Sequence, residues 1–235
     1  MKSYHVKLLF TFVFGISLTS SAQDHILNYN LKKGEAFDII LLTTKKDTKE
    51  LFGEYRKKAF PIAFEMGYSQ IPGFNITETV QGNLQPSGMI FGKWKNFEKR
   101  EAFIEEINVR VPNFHQMRKD IWSIFNLIYY KVPEDTSFQL DSNKVIVATA
   151  YWKKNGRQSE FNAFISNWKA LAKQTGASVK LELTHGKSPF GYYYNPDYLA
   201  ITQWDNREDF EAFLKRNLEM DTQNLKNVNQ YILGK

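Results

Sequence analysis

The sequence predicts an α+β fold made of two copies of one β-α-β-β-α unit, and two observations carry that prediction. The first is an internal repeat: Trp94-Lys-Asn-Phe-Glu-Lys-Arg-Glu-Ala-Phe-Ile104 and Trp204-Asp-Asn-Arg-Glu-Asp-Phe-Glu-Ala-Phe-Leu214 share Trp, Asn, Glu, Glu, Ala and Phe at matching places. Matching blocks, each preceded by an apolar stretch, mark a duplication. The second is the order of hydrophobic periods, which alternates between strand-like and helix-like runs in the same sequence in each half.

In the first half, Phe37 to Leu42 reads as a strand and Thr48 to about Gly67 as a helix, which Pro61 is expected to kink or split. Phe74 to Val80 and Met89 to Trp94 form a hairpin, and Asn96 caps the next helix. Beyond Pro112, the apolar residues Phe114, Met117, Ile121, Ile124 and Ile128 keep helical spacing, and the run ending Tyr129-Tyr130-Lys131-Val132 is a candidate fourth strand. The polar stretch Pro133 to Asn143 reads as the connection between repeats at 35–133 and 144–235.

The second half opens with Val145 to Trp152, a β-branched and aromatic strand. Ser159 is expected to cap a helix carrying Phe161, Phe164, Ile165, Trp168, Leu171 and Ala172 at helical spacing, and Gly176 ends it. Val179, Leu181 and Leu183 alternate as a half-buried strand. Tyr192 to Tyr194 and Tyr198 to Trp204 are expected strands on either side of Asn195-Pro196-Asp197, and Asn206 starts the last helix. A unit of this order is the ferredoxin-like split βαβ, with both helices on one sheet face. Two such units can lay their bare faces together and close a barrel, giving an intrachain pseudo-dimer.

Ahead of both units, Lys2 and Lys7 precede the apolar run Leu8 to Leu18, and Ser20 and Ala22 supply small residues before Gln23. That is the pattern of a secretory signal peptide spanning 1–22, so a periplasmic or secreted product without a membrane anchor is expected. The absence of cysteine excludes disulfides, thiolate catalysis and cysteine-ligated metal. The net charge of +6 includes the two signal lysines and no run of five like charges, which argues against a nucleic-acid partner.

Resemblance now adds to this. A strand ending in Trp, an Asn-capped turn and a helix opening Glu-Ala-Phe, present as Trp94/Asn96/Glu101-Ala102-Phe103 and Trp204/Asn206/Glu211-Ala212-Phe213, resembles the dimeric α+β barrel superfamily. That superfamily includes antibiotic-biosynthesis monooxygenase-like, EthD-like and stress-responsive domains. Some members degrade haem with a Trp three residues after the helix Phe, but those positions here are Glu106 and Arg216, so the resemblance implies no haem chemistry and no cofactor.

Candidate chemistry is sparse. His25, His115 and His185 are widely separated, without the helical spacing of paired metal ligands, and no metal site is expected. His115, beside Arg118 and Lys119, is a secondary ligand candidate. His185, close to Pro189-Phe190-Gly191-Tyr192-Tyr193-Tyr194, is the leading one together with Tyr193, because a loop imidazole near phenols can orient a polar ligand. Trp94 and Trp204 read as core residues pinning strand to helix. Three functions follow: binding of a small, partly apolar molecule between the two sheets; a cofactor-free monooxygenase-like or isomerase-like enzyme using that cavity; or a structural or partner-binding protein with a filled barrel. The chain is expected as a monomeric pseudo-dimer or a homodimer.

Overall fold

The structure, a computed structural model, describes residues 25–235; the expected signal peptide, 1–22, lies outside the described residues. The elements run β1 (Ile26–Leu31), β2 (Ala36–Thr44), α1 (Lys49–Glu65), β3 (Tyr68–Gln81), β4 (Gly88–Trp94), α2 (Phe97–Arg110), α3 (Phe114–Ile121) and β5 (Trp122–Lys131). They continue with β6 (Thr136–Asp141), β7 (Val145–Lys153), α4 (Gln158–Gln174), β8 (Ser178–Thr184), β9 (Tyr198–Trp204), α5 (Arg207–Leu218) and β10 (Leu225–Gly234). The fold is α+β, two tandem ferredoxin-like units.

The two units share one antiparallel sheet of order β5-β2-β4-β3-β10-β7-β9-β8. The central seam is β3 against β10, so the last strand of the second unit pairs with the hairpin strand of the first. Beyond β8 the chain meets the opposite edge: Lys187 pairs with Tyr129 and Tyr193 with Leu127 of β5. A Cβ at Gly186 would collide with Ile128 and Tyr130, so the chain needs glycine where it crosses onto β5. Segment 187–193 thereby straps the sheet into a barrel.

Strand alternation decides what fills the barrel. Phe37, Ile39 and Leu41 of β2, Met89 and Phe91 of β4, Ile128 and Tyr130 of β5, and Ile146, Ala148 and Ala150 of β7 point inward and form one buried cluster. Tyr29 and Leu31 of β1 with Phe138 and Leu140 of β6 join the same cluster from a separate two-stranded ribbon. The space between the sheets, where the sequence suggested a ligand, is therefore packed with side chains.

Several sequence expectations are corrected here. The stretch read as a connection contains β6, because Phe138 and Leu140 alternate inward and needed β1 to pair with. The helical stripe after Pro112 ends at Ile121, and Ile124 and Ile128 belong to β5, where β2 offers a full ladder of partners. Helix α1 continues through Pro61 to Glu65. Tyr192 to Tyr194 make a single bridge rather than a strand, and α4 begins after Arg157, leaving Ser159 inside its first turn. Asn96 and Asn206 cap as expected, accepting from the backbone N–H groups of Lys99 and Asp209.

Candidate functional site

The matching strand ladders give residue equivalences between the halves. Ala36 pairs with Trp94 as Val145 pairs with Trp204, so Asp38 opposite Gly92 corresponds to Val147 opposite Thr202. Within the repeated block, Arg100 corresponds to Phe210 and Phe103 to Phe213. Along the first helix of each unit, Phe52, Tyr55, Ala59, Ile62 and Ala63 correspond to Phe161, Phe164, Trp168, Leu171 and Ala172.

In the second half these positions make a filled apolar layer between helices and sheet. Trp168 is fully buried, with its ring edge-on to Tyr151 and Tyr198 at 5.9 Å and to Phe213 at 6.1 Å. Val147, Trp204 and Phe210 complete the cluster. The indole N–H groups of Trp168 and Trp204 have no partner there, a cost of about 1–3 kcal/mol each that the aromatic packing must offset.

In the first half the same layer is open. With Ala59 where the second half has Trp168, a cavity of about 610 Å³ lies between α1, α2, α3 and the sheet. Ile40 and Leu42 of β2, Ile90 of β4 and Leu127 of β5 form its apolar floor, and Phe52, Tyr55 and Phe60 of α1 form its roof. Tyr68 also lines it, its ring lying over Gly92, where a Cβ would clash. Lys45, Asp47 and Lys49 stand at the exposed rim.

Charged groups sit in the wall of this otherwise apolar space. Arg100 Nε donates to both oxygens of Asp38 at 2.8 and 2.9 Å, and Trp94 Nε1 donates to Asp38 Oδ2 at 3.0 Å. Trp94 thus has the partner that Trp204 lacks. Burial pushes the Asp38 carboxyl upward, against the lowering pull of Arg100 and the Trp94 N–H. Arg118, from α3, donates through Nε to the Tyr55 hydroxyl at 3.0 Å, and its guanidinium lies 4.1 Å from the Phe114 ring centre and 4.3 Å from that of Phe125. Helix α3 has no counterpart in the second half, where residues 219–224 join α5 directly to β10.

The residues singled out from sequence fall in three places. His115 is half-buried on α3, its Nδ1 bonded to the Tyr192 hydroxyl, and burial with Arg118 and Lys119 lowers its pKa. It stands behind Arg118 and does not line the cavity. Tyr193 is 68% exposed beside Phe190. His185 is exposed, with a left-handed φ of 59°, and lines a separate recess of about 630 Å³ between α4 and the β8–β9 region. That recess is comparable in volume but more polar in its lining, bordered by the exposed Gln158, Asn162, Ser166 and Thr184. The three residues are not brought together. Tyr192 and Tyr194 are the buried pair of the triplet, as alternation requires: Tyr192 packs near Leu127 and Tyr129, and Tyr194 joins the barrel interior.

Asp38, Ala59, Arg100 and Arg118 escaped sequence reasoning that looked for histidines and motifs. Their signal was the difference between the repeats rather than the likeness.

The architecture is that of the dimeric α+β barrel, with both halves supplied by one chain. No protein-family model matches the sequence, and no curated protein does. A mutant form of the chlorite dismutase of Candidatus Nitrospira defluvii is similar in structure, with 8% identity, a TM-score of 0.51, and 87% of this chain and 93% of that one covered. A second mutant form of that enzyme gives 10% identity, a TM-score of 0.50 and coverages of 87% and 93%. An anthrone oxidase-like protein gives 14% identity, a TM-score of 0.49 and coverages of 88% and 95%. At these identities the likeness is one of fold.

Haem, which some barrels of this kind handle, does not suit the cavity. Its lining holds no His, Cys or Met; of its tyrosines, the Tyr55 hydroxyl already accepts from Arg118, and burial pushes the Tyr68 phenol upward, away from the ionised form that ligates iron.

Proposed function

We propose that the protein binds a small, partly apolar molecule in the first-half cavity, between the helices and the sheet. The observation that carries this is the paired substitution between repeats: Trp168, Val147 and Phe210 fill and line one half with apolar groups, whereas Ala59, Asp38 and Arg100 open and polarise the other. A cavity of this size with apolar walls and a few convergent polar groups is the usual form of a small-molecule site. Binding takes place outside the cytoplasm once residues 1–22 are removed, and the second repeat serves as scaffold, completing the barrel as a second copy would.

The test is to put the second half's residue back. N-phenyl-1-naphthylamine, a neutral fluorophore that brightens in apolar sites, should bind the wild-type protein and lose at least tenfold in affinity with Ala59→Trp while far-ultraviolet circular dichroism stays native and urea unfolding stays cooperative. Unchanged binding in Ala59→Trp refutes the reading. His185→Ala and Tyr193→Phe are expected to leave the probe bound; loss of binding in either would move the ligand to the second-half recess.

A catalytic reading has one supporting observation, a buried carboxylate in the cavity wall. In a cofactor-free oxygenase or an isomerase, Asp38 would take the substrate proton, since burial holds its carboxyl nearer neutrality than an ordinary aspartate. Asp38→Asn would then retain binding and lose turnover.

A further inference from the structure

The cavity wall holds one more positive charge than its own carboxylate can balance. Arg100 is matched by Asp38, with side chains 2% and 3% exposed. Arg118 is 7% exposed and lines the same cavity, yet among the described residues no carboxylate lies within ion-pair distance of it. Its hydrogen-bonded neighbour Tyr55 offers no counter-charge, because burial pushes that phenol upward and keeps it neutral. His115, behind it, is likewise held toward the neutral form. Nη1 of Arg118 and Nη1 of Arg100 are both buried without a hydrogen-bond partner. The rings of Phe114, Phe125 and Tyr192 around Arg118 offset part of its desolvation through their electron-rich faces. The Tyr192 hydroxyl also accepts a hydrogen bond from Arg118, and Asp38, already bound to Arg100, attracts it from beyond ion-pair distance. Neither meets Nη1, and the buried guanidinium keeps a desolvation cost until an anion does.

We propose that the molecule taken up is an amphiphilic organic acid, whose ionised head accepts hydrogen bonds from Arg118 and whose apolar body lies along Ile40, Leu42, Phe52 and Ala59. This rests on the cavity being the binding site. The planar guanidinium fork suits a carboxylate or sulfonate, which accepts two parallel N–H donors. Lys45 and Lys49 outnumber Asp47 at the rim, a net positive charge that favours entry of an anion. The second repeat supplies the contrast: Val147 and Phe210 stand in place of Asp38 and Arg100, and nothing replaces Arg118.

The experiment compares two fluorophores of nearly the same shape, neutral N-phenyl-1-naphthylamine and 8-anilinonaphthalene-1-sulfonate, which adds the anionic group. The wild-type protein should bind the sulfonate at least about tenfold more tightly, the contribution of a buried charge-assisted hydrogen bond. Arg118→Met should erase that preference while the neutral probe still binds, and Lys45→Gln with Lys49→Gln should leave it in place. Equal affinities in the wild type overturn the inference, as does a preference that survives Arg118→Met or disappears with the rim lysines. If Arg118→Met does not fold, Arg118→Lys, which keeps the charge and loses the fork, should reduce the preference; an undiminished preference overturns the inference. Failure of the cavity reading is separately visible, since both probes would then bind Ala59→Trp as they bind the wild type.

Discussion

At the scale of single residues, the informative positions are those where the repeats disagree. Arg100 lies inside the very block that exposed the duplication, opposite Phe210. A charged residue aligned with a large apolar one on a buried helix face was legible as a departure. Asp38 opposite Val147 and Ala59 opposite Trp168 were harder to see, because no shared motif anchors those segments and the equivalence needs the strand ladders. The ion pair has a definite energetic signature. Removing one partner leaves a buried charge uncompensated, so Arg100→Met should cost about 3–5 kcal/mol in urea denaturation. Asp38→Val with Arg100→Phe, which installs the second half's residues, should recover most of that loss, short of the parent by about 1–3 kcal/mol for the Trp94 indole N–H left without its acceptor. Such recovery would mean that the pair is kept for the ligand; a double variant as unstable as the single one would mean that it holds the fold together.

At the scale of elements, α3 and the strap 187–193 form the part of the molecule that periodicity described least well. The apolar spacing from Phe114 to Ile128 satisfies a helix throughout, and the chain changes to strand at Trp122 because β2 provides partners there. That choice is made by a segment distant in sequence, which no local pattern contains. The ribbon β1–β6 was missed for the same reason, each strand being short and meaningful only against the other. The hydrogen bond between the Tyr192 hydroxyl and His115 Nδ1 joins α3 to the strap, and in the Nε2–H tautomer, where Nδ1 accepts, it needs the neutral imidazole. Burial, then Arg118 and Lys119, lower the His115 pKa below its unfolded value of 6.5. The sign follows: the folded protein binds this proton less readily, so the contribution is complete above 6.5 and is lost as pH falls through the folded pKa. A nuclear magnetic resonance titration of His115 should place its midpoint below 6.5, and Tyr192→Phe should weaken the acid dependence of the melting temperature. A midpoint at or above 6.5 would contradict the assignment.

At the scale of the whole molecule, the barrel was legible because duplication, element order and bare apolar sheet faces all pointed to it. What the space between the sheets contains was not, since alternation shows which residues face inward but not whether they meet. Here aromatic residues from both halves and from the β1–β6 ribbon converge in one cluster, with Tyr29, Phe91 and Phe138 in ring contact. The two repeats therefore share a core as well as a sheet. Their seam runs along β3 and β10, and Tyr231 of β10 enters the common core while its hydroxyl bonds the Leu84 carbonyl oxygen of the first repeat at 3.1 Å. Neither repeat can lose its structure without exposing the inner face of the other. Unfolding in urea should then be one transition, with circular dichroism in the far and near ultraviolet tracing the same curve. Tyr231→Ala should lower that single midpoint, corresponding to about 3–5 kcal/mol of stability for loss of a buried aromatic side chain. Hydrogen exchange followed by mass spectrometry should show β2 and β4 of the first repeat losing protection together with β7 and β9 of the second. If Tyr231→Ala instead weakens protection in the second repeat alone, or two separated transitions emerge, the halves are independent domains that merely abut. The packed interior would then be an interface between them rather than the core of one folding unit.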